Sequence, residues 1–186
     1  MNLLALFISR LFEPMVVVVF LALLAGWRAN LAGADRRLYA LYLSAQVVLI
    51  GLIWVAARRR LKTDWDISER KKRIRPLLIL LLIVLGNWFV VRIWHNGELL
   101  NFFYLFALWL LGFFFITLRY KISGHVGVVT LAAGLVVTWF GRAWLPVFLT
   151  VPLVAWARVR LGKHTVGEVI AGVVYSWGLV WLWCWR

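Results

Sequence analysis

The sequence predicts an all-α fold, a polytopic membrane helical bundle of about seven transmembrane helices. Of its 186 residues, 65% are hydrophobic, whereas soluble domains contain about 45–50%. A helix crosses the hydrocarbon core with about 20 apolar residues, and seven apolar runs follow one another between short polar segments. Because these runs leave little other chain, we expect one integral membrane domain over residues 1–186.

The seven runs give the bounds of the predicted helices, and residues 1–12 are expected to form an interfacial or leading segment. Pro14 suits the first turn of the first helix, because its missing N–H would have no partner there. Pro76 is expected to open the third helix in the same way. The predicted helices are 14–31, 38–57, 76–91, 99–118, 125–140, 143–157 and 165–185.

Charge is confined to the polar segments between these runs. The chain has 21 Lys and Arg against 7 Asp and Glu, which gives a net charge of +14. Such cations serve as topology signals and headgroup contacts, and they form no solvated face on which a nucleic acid would lie. The one long loop is predicted over residues 62–75. Cys184 is the only cysteine, which excludes an intrachain disulfide and a cysteine metal site.

The number of crossings brings three polar segments to one membrane face. An even number of predicted helices separates segments 58–75, 119–124 and 158–164 from one another. His125 and His164, two of the three histidines, are therefore expected on the same side. Most of the lysines and arginines fall on this side too, so we expect it to face the cytoplasm.

His164 and Glu168 are spaced as a nucleophile and its orienting carboxylate would be. Four residues apart at the start of a helix, they share one helix face. The carboxylate can accept a hydrogen bond from one imidazole nitrogen, which leaves the other nitrogen free to attack. A phosphate substrate would need N–H donors around its oxygens, and Arg158 is a nearby source of them.

Ser123, Gly124 and His125 stand at the start of the fifth predicted helix. Unpaired amides and the helix dipole favour an anion at such a position. Ser123 and these amides are expected to hold phosphate while His125 donates a proton to the leaving group. A lone interfacial histidine is more often a polar cap, but two on one face beside cations favour catalysis.

The spacing of Arg158, His164 and Glu168 resembles the third motif of the type 2 phosphatidic acid phosphatases, SRxxxxxHxxxD. Ala157 replaces the motif serine, and Glu168 replaces its aspartate. The second motif, PSGH, has its counterpart in KISGH at residues 121–125. The resemblance implies that Lys121, Ser123 and Gly124 bind the phosphate together with Arg158.

The first motif of that family, KxxxxxxRP, is only partly present. Arg75 and Pro76 match its end, but Ser68 stands where the lysine would be. Residues 63–75 instead resemble a variant with Asp-x-Asp before a basic cluster, found in small prokaryotic members. The resemblance makes Arg70, Arg73 and Arg75 phosphate ligands, and Asp64 and Asp66 loop-ordering residues. The candidates for the missing lysine's role are Lys62, Arg70, Lys71, Lys72 and Arg73.

The resemblance spans about residues 64–181 and implies a six-helix phosphatase core at about 38–185, preceded by residues 1–34. It implies attack of His164 on phosphorus, a phosphohistidine intermediate, protonation of the leaving oxygen by His125 and hydrolysis without metal or other cofactor. The expected enzyme is a metal-independent lipid phosphatase of a prokaryotic plasma membrane. Phosphatidic acid, phosphatidylglycerol phosphate and isoprenyl diphosphates are the candidate lipid substrates.

Three other functions remain open from the sequence. A lipid phosphotransferase would use the same intermediate with a different acceptor. A magnesium-dependent prenyl- or alcohol-phosphate transferase would bind its metal through Asp64, Asp66 and Glu69. A non-catalytic lipid-binding membrane protein would account for the incomplete first motif.

Overall fold

The computed structural model describes residues 2–184, and these are largely helical. Within them there are eight α-helices and two 3-10 segments, and no strand. The prediction of an all-helical chain is confirmed, although Trp185, the predicted end of the last helix, lies outside the described residues. The α-helices are α1 Leu3–Leu11, α2 Pro14–Arg28, α3 Gly33–Leu61, α4 Arg70–Val90, α5 Gly97–Arg119, α6 Gly124–Phe140, α7 Thr150–Arg160 and α8 Val166–Cys184. The 3-10 segments are Val91–Trp94 and Arg142–Leu149.

Six helical segments of the described chain are long and apolar enough to cross a membrane. They are Leu3–Arg28, Gly33–Leu61, Arg70–Trp94, Gly97–Arg119, Arg142–Arg160 and Val166–Cys184. The remaining apolar helix, α6, has 17 residues, which at 1.5 Å per residue gives about 26 Å. The chain is thus an integral membrane protein with six candidate spans, and a count of seven depends on α6.

Two helices begin five or more residues earlier than predicted. α3 begins at Gly33, and Asp35 in its first turn is favoured by the helix dipole. α4 begins at Arg70, so the polar loop ends at Glu69 and not at residue 75. The expectation that Pro76 opens this helix was wrong. Pro76 lies inside α4, where its missing N–H removes one backbone hydrogen bond from the second turn.

The sixth predicted helix is divided into two parts. Residues Arg142–Leu149 form a 3-10 segment that contains Pro146, whose missing N–H breaks the α-helical ladder. α7 then starts at Thr150. Pro152 falls in the first turn of α7, where a backbone N–H is not required.

Residues 3–11 form a helix where the sequence predicted only an interfacial or leading segment. The side chain of Asn2 caps α1 by accepting a hydrogen bond from the amide of Ala5 at 3.2 Å. Ala5, Ile8 and Ser9 are buried, and α1 packs against α7. The buried face of α1 gives this segment a structural role.

Contacts divide the chain into two compact units. The first comprises the residues up to Val18 and those from Lys121 onward, and the second comprises Val19–Tyr120. The single domain and the phosphatase core expected from the sequence stay predictions.

In the first unit, α6 is enclosed by its neighbours. It packs against α7, α8 and the 3-10 segment Arg142–Leu149, and eleven of its 17 residues are buried. A helix that is apolar all round is stable when surrounded in this way. Gly134 permits the close approach of α8, because an added Cβ would lie 2.7 Å from a methyl group of Val180. His125 is therefore carried by a tightly packed helix.

In the second unit, a side-chain hydrogen bond and an ion pair each connect two separate helices. Asn87 of α4 donates to Gln46 of α3 at 3.3 Å. Arg28 at the end of α2 pairs with Glu98 at the start of α5 at 2.9 Å. Interhelical hydrogen bonds of this kind stabilise helix packing in membranes.

Candidate functional site

His164 lies in the turn between α7 and α8, which begins with a Schellman motif. Gly162 follows the end of α7 with a φ of +64°, a conformation that glycine adopts without a Cβ penalty. Its amide donates to the carbonyl of Val159 at 2.9 Å, and the amide of Lys163 donates to the carbonyl of Arg158 at 3.0 Å. This pair of hydrogen bonds turns the chain so that His164 directly follows the capped helix end.

A capping box fixes the other side of His164, at the start of α8. The amide of Glu168 donates to Thr165 Oγ1, and the amide of Thr165 donates to Glu168 Oε2, both at 3.3 Å. The Glu168 carboxylate is thereby held by the backbone at its own helix start. The Thr-x-x-Glu spacing signals this motif in the sequence, although the sequence-based prediction did not use it.

The imidazole of His164 contacts the Glu168 carboxylate in a buried setting. Nδ1 of His164 lies 2.7 Å from Oε2 of Glu168, and the two side chains are 1% and 14% exposed. When Nδ1 carries the proton that the carboxylate accepts, Nε2 keeps its lone pair. Nζ of Lys121 lies 3.4 Å from the same Oε2 and donates to the carbonyl of Lys163 at 2.9 Å. The lysine thus offsets the negative charge beside the histidine.

The starts of α6 and α8 are joined through Ser123. Its amide donates to the carbonyl of Glu168 at 3.1 Å, and its Oγ caps α6 by accepting from the amide of Val126. Gly172 makes this approach possible, because an added Cβ would lie 2.9 Å from the carbonyl oxygen of Ser123. His125, in the first turn of α6, and His164 therefore belong to two helix starts that are hydrogen-bonded to each other. Gly124 is the first residue of α6.

Arg158 is buried, and its guanidinium reaches the N-terminal helix. The residue is 1% exposed, and Nη1 donates to Oγ of Ser9 at 2.7 Å. A buried charge requires hydrogen-bonding partners of this kind. Ser9 was not predicted from the sequence, because no local pattern links it to a residue 149 positions away.

Glu13 is the second residue of the first unit that the sequence-based prediction missed. Its Oε2 lies 3.5 Å from Nε2 of His125, with the two side chains 17% and 7% exposed. Glu13 lies within residues 1–34, which the resemblance placed before the phosphatase core. No sequence signal identified this contact, because a glutamate next to a helix-opening proline is common at helix starts.

The remaining predicted site residues belong to the second unit. Among them, Asp64 is hydrogen-bonded to another residue of the polar loop. Its two carboxylate oxygens accept from the amide and the hydroxyl of Ser68 at 2.8 and 2.6 Å. Ile67 is fully buried with a φ of +46°, which is strained for a β-branched residue. These contacts fix the shape of the loop. Asp66 is half-buried in the same loop.

The three predicted arginines of this loop have different surroundings. Arg70 donates to the carbonyl of Thr117 at 3.1 Å and to that of Leu118, so it caps the end of α5. Arg73 is buried, and its Nε donates to the carbonyl of Ile67. Arg75 is exposed. Their role as phosphate ligands stays a prediction.

The first unit thus holds an imidazole oriented by a carboxylate, a second imidazole beside another carboxylate, and two cations at capped helix ends. Such a set can attack phosphorus, donate a proton and compensate the charge of phosphate oxygens. No family model, no curated protein and no solved structure matches the chain significantly.

Proposed function

We propose that the protein is a membrane lipid phosphatase that hydrolyses a phosphomonoester or diphosphate of a lipid through a phosphohistidine at His164. The observation that carries this proposal is the 2.7 Å contact between His164 Nδ1 and Glu168 Oε2 in a buried turn. That contact selects the tautomer whose Nε2 can attack. The motif spacing, which resembles that of the type 2 phosphatidic acid phosphatases, supports the same reaction and a six-helix core. In this proposal α6 also crosses the membrane, in addition to the six candidate spans, which gives seven crossings.

In the first step, the lone pair of His164 Nε2 forms a bond to phosphorus, and the bond from phosphorus to the lipid oxygen breaks. The leaving oxygen takes the electron pair of that bond and a proton from His125. Arg158, Lys121 and the amides at the start of α6 compensate the charge on the phosphate oxygens.

In the second step, a water oxygen attacks the phosphorus of the phosphohistidine. His125, now neutral, accepts a proton from this water, and the electron pair of the N–P bond returns to His164 Nε2. Inorganic phosphate then leaves. A lipid hydroxyl in place of water would turn the same intermediate into a transfer reaction, so a lipid phosphotransferase is the nearest alternative.

Two of the three carboxylates that a magnesium-dependent transferase would use, those of Asp64 and Glu69, are engaged in other contacts. Both carboxylate oxygens of Asp64 accept hydrogen bonds from Ser68, and Glu69 pairs with Lys72 at 2.6 Å. Carboxylate oxygens that already accept hydrogen bonds or form an ion pair within the loop region favour a loop-ordering role for Asp64 and Glu69 over metal binding. No observation on the site favours a non-catalytic lipid-binding protein.

The test is phosphate release by the detergent-purified protein, with EDTA present. The substrates are phosphatidic acid, phosphatidylglycerol phosphate and an isoprenyl diphosphate. We expect EDTA-resistant release that His164→Ala abolishes and that His95→Ala, which changes the exposed third histidine, leaves intact. Release that requires magnesium and is lost in Asp64→Ala would support the metal-dependent transferase, and no release from any substrate would support the lipid-binding protein.

A further inference from the structure

A cavity of about 280 Å³ lies between the end of α4 and the start of α5, within the second unit. Trp88 and Arg92 line it on one side, and Leu100, Asn101 and Tyr104 line it on the other. Trp88 and Arg92 are four residues apart, as are Leu100 and Tyr104, so the two side chains of each pair lie on the same side of the helical chain. The cavity is thus a groove between two neighbouring helix faces.

The groove lies at the membrane end opposite the polar loop. That loop precedes α4, whereas the candidate spans Arg70–Trp94 and Gly97–Arg119 are joined by the turn 95–96 at the other end. Trp88 lies six residues before the end of the first span, and Tyr104 lies seven residues after the start of the second. At 1.5 Å per residue, both are about 10 Å inside the span. The groove therefore extends from the level of lipid headgroups to that of the first acyl carbons.

Aromatic rings hold the guanidinium of Arg92 beside this groove. Its central carbon lies 4.1 Å from the centroid of the Trp88 ring and 5.5 Å from that of Phe89. Such cation–π contacts are attractive and restrict the side chain. Within residues 2–184, no hydrogen bond or ion pair involves this guanidinium or the side-chain amide of Asn101. The N–H donors of both side chains are therefore available to a ligand.

The charge of the groove is complementary to an anion. Among the described residues, none that lines the groove carries a carboxylate. Glu98, the one acidic residue of α5, pairs with Arg28 at 2.9 Å. At the membrane interface, phosphate is the anionic group that lipids supply, and the planar fork of a guanidinium matches two of its oxygens.

We propose that this groove binds a phospholipid in the leaflet opposite the polar loop. The phosphate accepts hydrogen bonds from Arg92 and Asn101, and the first acyl carbons pack on Trp88 and Tyr104. Free phosphate shares the chemistry of the headgroup, but the aromatic wall at acyl-chain depth favours the lipid, whose chains gain by leaving water. The site does not depend on His164 or on the proposed function.

The test is photolabelling of the intact protein in dodecyl maltoside, a detergent without phosphate. The probe is phosphatidylglycerol with a diazirine at the start of one acyl chain, and peptide mass spectrometry measures the label on residues 88–104 as the probe is titrated. We expect saturable labelling, and we expect Arg92→Gln to raise the apparent Kd about tenfold to a hundredfold, as for lost hydrogen bonds between charged groups. Arg92→Lys, which keeps the charge but not the fork, should raise it less.

Arg37→Gln is the matched control, because Arg37 is an exposed arginine at the start of α3, at the same membrane end but outside this groove. This variant should leave the apparent Kd unchanged. Because the label is read only on residues 88–104, lipid bound at the proposed catalytic site does not contribute. Equal labelling of wild type and Arg92→Gln, or equal labelling by diacylglycerol with the same diazirine chain, would overturn the proposal. Displacement of the probe by millimolar inorganic phosphate would indicate a site for free anions and would also overturn it.

Discussion

Two carboxylates contact two histidines at the scale of single residues in the first unit, and each contact uses one ring nitrogen. His164 meets Glu168 at 2.7 Å, and His125 meets Glu13 at 3.5 Å. Because the shorter contact is also the more buried, it should have the larger effect on reactivity. The guanidinium of Arg158 donates a hydrogen bond to the hydroxyl of Ser9.

Replacement of Glu168 by glutamine should lower kcat for phosphatidic acid by about 10²- to 10⁴-fold, because an amide no longer fixes the reactive tautomer of His164. Glu168→Asp, which keeps the charge and restores the residue of the resembled motif, should retain more activity than Glu168→Gln. Steady-state phosphate release measures both variants. Equal activity of Glu168→Gln and wild type would exclude Glu168 as the orienting residue.

Replacement of Ser9 by alanine should raise KM more than it lowers kcat, because the guanidinium of Arg158 loses a hydrogen bond that helps to direct it. We expect a KM increase of about threefold to thirtyfold, which corresponds to one hydrogen bond to a charged group. Ser44→Ala is the matched control, since that hydroxyl bonds only to its own helix in the second unit. An unchanged KM would show that Arg158 does not need Ser9.

At the scale of elements, the turn between α7 and α8 could be predicted from the sequence, but its support could not. Arg158, His164 and Glu168 lie within eleven residues of one another in the sequence. Their arrangement depends only on the end of α7 and the start of α8. Ser9 contacts Arg158, and Glu13 contacts His125; the two residues of each pair are more than a hundred positions apart in the sequence. A single sequence contains no periodic signal for such pairs.

The start of α4 illustrates a second limit of sequence-based prediction. Polarity placed residues 70–75 in the loop, yet they form the first turns of the helix. Lysine and arginine are good helix formers, and Pro76 removes only one hydrogen bond. Hydropathy therefore located the apolar part of α4 but not its beginning.

The close approach of α8 to α6 gives a prediction at this scale. Gly172→Ala should lower the unfolding free energy by about 1–3 kcal/mol, because the new methyl group would press on the backbone of Ser123. It should also lower kcat, because the hydrogen bond between Ser123 and Glu168 would lengthen. Gly178→Ala in the same helix is the control, as an added Cβ there meets nothing within 4 Å. Thermal unfolding in detergent and phosphate release measure the two effects, and equal behaviour of the two variants would contradict this account.

At the scale of the whole molecule, hydropathy predicted the membrane class and the apolar part of every long helix. The six candidate spans follow from runs of apolar residues, which lipid contact requires whatever the packing. The membrane side of the site follows only from the distribution of lysine and arginine. We propose a prokaryotic plasma membrane with the site facing the cytoplasm.

Cysteine labelling in intact cells tests this orientation. In a Cys184→Ser background, Lys71→Cys at the start of α4 and Gly97→Cys at the start of α5 lie at opposite ends of the candidate span Arg70–Trp94. A membrane-impermeant maleimide should label the cysteine at position 97 and not the one at 71. The reverse pattern would place the polar loop outside the cell, and labelling of both would contradict the span.

The most direct test of the central claim is detection of the covalent intermediate. The protein is mixed with phosphatidic acid labelled at phosphorus and quenched in alkaline detergent, in which phosphohistidine is stable. Peptide mass spectrometry should locate a phosphate on His164 in the wild-type protein and in His95→Ala, and none at this position in His164→Ala. Turnover of the lipid without any phosphate on His164, or with phosphate on another residue, would contradict the proposed mechanism.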